Sequence, residues 1–140
     1  MYNEVSNSWR ADRQAEFHRK VRGQVVNGSN HFERRMKNYR HIFTKAAGRE
    51  LFPGTINVKI DHSIKVREDF RIKGSEIDEP EQDLIFERCN INGIEAFRIR
   101  PLNLKTGSGG HGDDTLEIAC SQQVPCIEVG TEVEIELFRE

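Results

Sequence analysis

The stretch that decides the fold is LFPGTINVKI, residues 51–60. Pro53 fixes its backbone φ and Gly54 permits a sharp bend, so a tight turn leads directly into the residues that follow. Apolar side chains then alternate with polar ones, which is the period of a β-strand with one buried face. Thr55 and Asn57 therefore share the opposite, polar face of a predicted strand.

Thr55 and Asn57 offer a hydroxyl oxygen and an amide oxygen two residues apart, beside the turn. Oxygen ligands of this kind suit Mg²⁺, which keeps several waters and phosphate oxygens as its other ligands. The pattern is therefore compatible with a magnesium–phosphate site. It is also typical of an ordinary hairpin strand whose polar face meets water, and the segment alone favours that second interpretation.

Composition and charge narrow the class of protein. The chain of 140 residues fits one compact domain with a modest core. Its formal net charge of -2 gives no overall positive field, which counts against a general role in binding DNA or RNA. No apolar run approaches the ~20 residues that span a bilayer, and residues 1–4 lack the apolar core of a signal peptide, so we expect a cytoplasmic protein with no membrane partner.

Cysteine and histidine spacing argues against two further kinds of site. The three cysteines are an odd number without C-x-x-C spacing, so we expect reduced thiols rather than a disulfide framework or a structural zinc site. Cys120 and Cys126 are predicted to be packed as small apolar residues. The five histidines show none of the paired spacings that bind transition metals.

Turn signals divide the rest of the chain into short strands and one helix. We expect an N-terminal extension or short helix over residues 1–21 and a single barrel domain over residues 22–140. The first strand is predicted at Arg22–Val26. A helix follows, with Asn30 as its N-cap and Gly48 as the left-handed residue that ends it.

Asn92-Gly93 is the strongest hairpin signal in the chain. It connects predicted strands over residues 84–91 and 94–100, and Pro101 is expected to end the second of them. Further strands are predicted over residues 70–73, 115–119 and 132–138. Several short strands with one helix predict a mainly β fold, a small antiparallel barrel with a helical insertion.

Several stretches, in order along the chain, resemble the signature of the archaeal CTP-dependent riboflavin kinases. The densest part comprises YRHIF at 39–43, Gly48 and FPGTINVKID at 52–61, and the sparser parts are GQVVNG at 23–28, DTLEIA at 114–119 and VGTEVEI at 129–135. The resemblance covers residues 22–138. It implies a six-stranded cradle-loop β-barrel with one inserted helix.

The resemblance also implies a functional site. Thr55 and Asn57 match the family's Mg²⁺ ligands, and Gly28 matches the entry to its nucleotide loop. In that loop we expect nucleotide contacts from Ser29 and Asn30, from the helix-start amides after Asn30 and from the side chain of Arg34 or Arg35. An ordinary charged surface helix is the alternative.

Two positions late in the chain match flavin contacts of the family. Glu117 matches a glutamate that contacts the flavin, and a solvated strand carboxylate is the alternative interpretation. His111 is in register with a histidine of the flavin loop. The resemblance thus implies CTP as phosphate donor, Mg²⁺ as cofactor and riboflavin as acceptor.

The sequence departs from the family pattern in three places. The later glycines of the nucleotide loop are absent, a glycine replaces the threonine of the flavin loop, and the stretch after Ala119 is shorter and uncharged. Two hypotheses follow. The first is a Mg²⁺-dependent phosphotransferase that moves the terminal phosphate of CTP, or of another nucleoside triphosphate, to riboflavin and produces FMN. The second is a non-catalytic or redirected barrel that binds a nucleotide, a flavin or another phosphorylated small molecule.

Overall fold

A computed structural model describes residues 19–28, 31–107 and 112–138. Within these residues seven strands and two α-helices follow one another: β1 Arg19–Val26, α1 His31–Asn38, α2 Arg40–Ala47, β2 Ile56–Lys59, β3 Phe70–Ile72, β4 Gln82–Ile91, β5 Ile94–Asn103, β6 Thr115–Cys120 and β7 Glu132–Leu137. None of the helices in the described ranges is long and apolar enough to cross a membrane.

Six of the strands form a closed antiparallel barrel. Their order is β4-β5-β6-β2-β1-β7, and β7 pairs back onto β4. β4 completes the closure because it pairs with β5 on one edge and with β7 at Cys89–Ile91 on the other, where β3 pairs with Leu84–Phe86. The predicted mainly β fold with a six-stranded barrel is therefore confirmed, with β3 as one extra strand.

The first strand is longer than predicted. It begins at Arg19 rather than Arg22, because Arg19 pairs with Leu137 and Val21 pairs with Ile135 on the last strand. The predicted boundary between an extension and the barrel therefore falls inside β1. Residues 1–18 of the predicted extension lie outside the described residues.

The inserted helix is divided in two, contrary to the prediction of one helix. Tyr39 interrupts it with φ -119° and ψ 36°. Both helices bury apolar residues, Phe32 and Met36 in α1 and Phe43 in α2. Gly48 ends α2 in the left-handed conformation as predicted, and its N–H donates to the carbonyl of Thr44 at 2.9 Å. The predicted N-cap, Asn30, lies outside the described residues.

Pro101 does not end the second strand of the hairpin, as the sequence suggested. β5 continues to Asn103, and Pro101 pairs with Leu84 of β4. β6 pairs with β5 only over Ala96–Ile99, so Pro101 lies beyond that pairing at a strand edge. A proline is tolerated there because the edge does not need its missing N–H.

The barrel wall separates two apolar clusters. The inner cluster fills the barrel with residues such as Val58, Cys89, Leu116, Ile118 and Ile135. The outer cluster lies between the helices and the outer face of β3, β4, β5 and β6, with residues such as Phe32, Met36, Phe43, Phe86 and Phe97. Successive side chains of a strand point to opposite faces of the wall, so the residues of β2 and β6 that alternate with inner-cluster residues face outward.

Candidate functional site

Three of the predicted site residues lie together on the outer face of β2 and β6. The Thr55 hydroxyl donates a hydrogen bond to Oε2 of Glu117 at 2.9 Å. Asn57 lies directly opposite Glu117 in the ladder between the two strands. Asn57 is only 7% exposed and Glu117 only 6% exposed. We call this group the oxygen cluster.

Strand alternation places the oxygen cluster. Val58 of β2 and the β6 residues Leu116 and Ile118 belong to the inner apolar cluster, so Asn57 and Glu117 must face outward. The shared face of Thr55 and Asn57 is as predicted. A polar strand face in water is wrong for Asn57, and a solvated carboxylate is wrong for Glu117, because both side chains are buried.

Gly28 approaches the oxygen cluster from the end of β1. A Cβ atom built on Gly28 would lie 1.7 Å from Nδ2 of Asn57 and 2.6 Å from its Cγ. No side chain fits in that space unless Asn57 moves. The first glycine after β1 therefore allows the backbone to pack on the amide of Asn57, and the structure brings this predicted residue to the same place as Asn57.

The turn before β2 is fixed by the elements around it. Gly54 has φ 108°, a conformation that favours glycine. Its N–H donates to Sδ of Met36 in α1 at 3.3 Å. The N–H of Phe52 donates to the carbonyl of Cys120, at the end of β6, at 2.8 Å. These contacts hold the residue that follows the turn, Thr55, beside β6.

A cleft of about 250 Å³ opens beside Thr55. Its walls are the turn before β2, the end of β6 and the segment that follows β6, and Glu33 of α1 lies at one side. The segment after β6 contributes two amides and two apolar side chains, namely Gln122, Gln123, Val124 and Ile127. Phe52, which is 45% exposed, adds an aromatic ring. Apolar walls with a few amides suit a heterocyclic ring better than a chain of charges.

The remaining predicted site residues are placed differently. Arg34 is exposed and lines another surface depression, together with residues 77–79, rather than the cleft beside Thr55. Ser29, Asn30 and His111 lie outside the described residues. The segment that aligns with the family's glycine-rich loop contains helix α1, which buries Phe32 and Met36 in the outer apolar cluster.

Lys59 is a neighbour of the oxygen cluster that sequence reasoning did not single out. It lies two residues beyond Asn57 on the same strand face, opposite Thr115, and its ammonium group forms an ion pair with Asp114. The period of two through residues 55, 57 and 59 was the signal that could have found it. The side chain of Lys59 is 52% exposed, so this cation is accessible to an anionic ligand.

The cysteines offer no nucleophile at this site. Burial raises the pKa of the Cys120 thiol, which lines the cleft, to about 12. Burial also raises the pKa of Cys89, inside the barrel, well above its ordinary value. Both thiols are therefore protonated near neutral pH. All three cysteines are free as predicted, but Cys126 is exposed and not packed, contrary to expectation.

The oxygen cluster suits a hard divalent cation. It presents a hydroxyl, an amide and a carboxylate, and oxygen donors of these kinds are those that Mg²⁺ prefers. In the described ranges no group of three or more histidine, cysteine, aspartate or glutamate side chains could hold a metal ion. A cation at this place would therefore depend on the Thr55 and Asn57 oxygens together with Glu117.

Known proteins do not supply a closer identification. No protein-family model matches the chain, and no curated protein matches it.

The oxygen cluster draws its members from distant parts of the sequence. Gly28, Thr55 with Asn57, and Glu117 meet only because β2 pairs with β1 on one side and with β6 on the other.

Proposed function

We propose that this protein is a Mg²⁺-dependent phosphotransferase of the riboflavin kinase type. It would transfer the terminal phosphate of CTP, or of another nucleoside triphosphate, to riboflavin and so produce FMN. The observation that supports this proposal most directly is the oxygen cluster, in which the Thr55 hydroxyl lies 2.9 Å from Glu117 and Asn57 lies opposite Glu117. A barrel that only packs a core has no need for two buried polar side chains, Asn57 and Glu117, directly opposite each other in its wall.

The residues of the cluster have distinct tasks in this proposal. Thr55 and Asn57 hold the cation through their side-chain oxygens. Bound Mg²⁺ supplies charge neutralisation to the phosphates, which is the main requirement of phosphoryl transfer. Gly28 leaves room for the Asn57 amide, and Lys59 adds a positive charge on the same face. Because Asn57 and Glu117 are shielded from water, their electrostatic interactions with a ligand are strengthened.

The cleft beside Thr55 would bind the uncharged part of a substrate. Its volume of about 250 Å³, its aromatic and aliphatic walls and its two glutamine amides suit one heterocyclic ring system. A ring in the cleft would place the attached phosphate or hydroxyl group near Thr55. Thr55 lines this cleft and also belongs to the oxygen cluster, so it would link a ring in the cleft to a cation at the cluster.

A second candidate function is supported by helix α1. It occupies the segment in which the riboflavin kinases have a glycine-rich loop, and Arg34 lines a separate depression. Fewer backbone amides are then available to surround a triphosphate. This observation favours a barrel that binds a phosphorylated small molecule through a cation without transferring its phosphate.

An assay of phosphoryl transfer tests the first proposal. Purified protein is incubated with riboflavin, Mg²⁺ and each of CTP, ATP, GTP and UTP in turn, and FMN is measured by chromatography. Thr55→Val removes the hydroxyl and keeps the shape of the side chain, whereas Thr55→Ser keeps the hydroxyl. We expect Thr55→Val and Asn57→Leu to lower turnover by at least about 100-fold, because a lost cation ligand costs several kcal/mol in the transition state.

The controls separate function from folding. Thr55→Ser should retain most of the activity, and Thr44→Val, on helix α2 away from the cleft, should retain all of it. FMN formation with none of the four donors, from protein with a cooperative thermal unfolding transition, would reject the kinase proposal. Retained binding of a Mg²⁺–nucleotide complex in that case would support the second candidate.

A further inference from the structure

We infer that Glu117 belongs to the cation site, where it positions the Thr55 hydroxyl and adds a negative charge. The site would therefore bind a divalent cation before any nucleotide arrives. The inference rests on the proposed function for its cation site, and it changes the role of Glu117. The resemblance to riboflavin kinases gave this residue a flavin contact. The structure instead joins it to a proposed metal ligand.

The direction of the hydrogen bond is the first reason. A threonine hydroxyl has one hydrogen to donate and two lone pairs. Oε2 of Glu117 accepts that hydrogen from Thr55 at 2.9 Å. The lone pairs of the Thr55 oxygen are then the part of the hydroxyl that remains for a cation. A carboxylate that accepts from a ligand in this way fixes its orientation and makes its oxygen a better donor of electrons to the metal.

The rigidity of the strands is the second reason. β6 pairs with β2 and also with β5, and Glu117 lies between Asn57 on one side and Ile99 on the other. The Glu117 backbone is therefore held in the middle of the sheet rather than on a loop. Its carboxylate stays beside Thr55 whether or not a substrate is present, which is what a preformed cation site requires.

Charge is the third reason. Thr55 and Asn57 are neutral ligands, and affinity for a hard cation rises with the number of charged oxygens in the site. Glu117, which is 6% exposed, places a carboxyl group in the cluster that would supply such a charge as a carboxylate. A divalent cation bound next to a buried carboxylate offsets the cost of taking its charge out of water. Thr55, Asn57 and Glu117 would therefore hold the cation without a nucleotide, and the cation would then neutralise phosphate charge when a nucleotide binds.

Binding of Mn²⁺ in the absence of nucleotide tests the inference. Mn²⁺ replaces Mg²⁺ in oxygen sites, and its free concentration can be read from its electron paramagnetic resonance signal. We expect the wild-type protein to bind one Mn²⁺ and Glu117→Gln to bind it about 10-fold to 100-fold more weakly. The matched control is Glu134→Gln, which removes a carboxylate from the outer face of β7 and should leave the affinity unchanged.

A double-mutant cycle separates a positioning role from a merely nearby charge. Thr55→Val is combined with Glu117→Leu, which unlike glutamine cannot accept the hydroxyl hydrogen, and the Mn²⁺ affinity of all four proteins is measured. If Glu117 acts through the Thr55 hydroxyl, the double variant should lose clearly less than the product of the two single losses. Losses that multiply would show that the two residues act independently and would overturn the positioning role.

Riboflavin binding and FMN formation keep this inference distinct from the proposed function. Unchanged Mn²⁺ affinity in Glu117→Gln together with weakened riboflavin binding would overturn the inference and return Glu117 to the acceptor. If the wild-type protein makes FMN in the same set of measurements, the kinase proposal still holds. Nucleotide-independent Mn²⁺ binding that Glu117→Gln weakens, in a protein that makes no FMN, would support the inference and reject the kinase. Failure of the wild-type protein to bind Mn²⁺ without nucleotide would overturn the inference.

Discussion

Glu87 and Glu117 are both buried carboxylates in the barrel wall, but they face opposite sides of it. Glu87 points into the barrel, where it lies opposite Arg98, and Nη1 of Arg98 is 3.9 Å from Oε1 of Glu87. Glu117 points out of the barrel and accepts a hydrogen bond from the neutral hydroxyl of Thr55, which itself lines the cleft. Glu87 thus lies opposite a charged group in the barrel interior, whereas Glu117 accepts a hydrogen bond from an uncharged hydroxyl on the outer face.

The inward pair is tied to several segments. Oε1 of Glu87 accepts the N–H of Arg67 at 3.1 Å. Arg98 also approaches Asp113 at 3.7 Å, and Nε of Arg100 lies 3.0 Å from the same carboxylate. The segments around Arg67 and Asp113 are therefore anchored to one buried pair. Such a pair holds a barrel end together and has no access to a substrate.

The largest expected effect is the loss of the inward guanidinium. Arg98→Met leaves Glu87 buried with its charge and without the guanidinium opposite it. We expect the free energy of unfolding to fall by about 3–5 kcal/mol. Urea denaturation followed by circular dichroism measures the change.

A second variant tests whether charge or shape is responsible for that loss. Replacing both members of the pair, with Glu87→Leu in the Arg98→Met background, removes the uncompensated charge and should recover much of the stability. If the double variant is less stable than Arg98→Met, the pair serves packing rather than charge balance, and the contrast with Glu117 loses its basis.

Asp83 provides an intermediate case between the two buried glutamates. It accepts the N–H of Gly74 at 3.0 Å and a hydrogen bond from Nη1 of Arg71 at 2.7 Å. The Gly74 N–H, with the Arg71 guanidinium, lowers the pKa of this carboxyl below its ordinary value of 3.8. We expect Asp83→Asn to cost about 1–3 kcal/mol in the free energy of unfolding at pH 7.

The pH dependence of that cost identifies its origin. A pKa that is lower in the folded state means that the unfolded chain binds the proton more readily. The contribution of Asp83 is therefore fully present above about pH 4, the unfolded value, and is lost as the pH falls through the lower folded value. The stability difference between wild type and Asp83→Asn should shrink over that acidic range in urea titrations. A difference that stays constant down to pH 2 would exclude an ionic origin.

The smallest expected effect belongs to Glu117. Removing its charge with Glu117→Gln also removes the cost of burying a carboxylate, and the amide can still accept from Thr55. We expect the free energy of unfolding without metal to change by less than about 1 kcal/mol, because residues placed for function seldom add to stability. Thermal unfolding with and without Mg²⁺ measures this. A loss as large as that of Arg98→Met would make Glu117 a structural residue.

Local signals in the sequence predicted those parts of the fold that depend on neighbouring residues. Asn92 and Gly93, with φ of 48° and 83°, form the expected hairpin turn. The strand predicted over residues 132–138 is also present as β7, in which Val133, Ile135 and Leu137 are buried between less buried glutamates. In each case the side chains themselves specify the conformation.

The parts that sequence reasoning missed depend on contacts between distant segments. The three extra residues of β1 are strand only because β7 lies beside them. The break at Tyr39 reflects the surface on which the helices pack, and helical periodicity cannot show it. The site followed the same rule: the shared face of Thr55 and Asn57 was predictable from alternation, whereas their meeting with Glu117 depends on the pairing of β2 with β6.

The closure of the barrel has a consequence for its synthesis. β1 and β7 pair along six consecutive positions, from Arg19 with Leu137 to Gln24 with Glu132. Contacts between residues so far apart in sequence form slowly, because a long loop must first be closed. On the ribosome, β1 and the free edge of β4 cannot pair with β7 until the chain has emerged through residue 137. The barrel therefore closes after translation of its last strand, and until then the unpaired edges of both strands are available to chaperones or to another nascent chain.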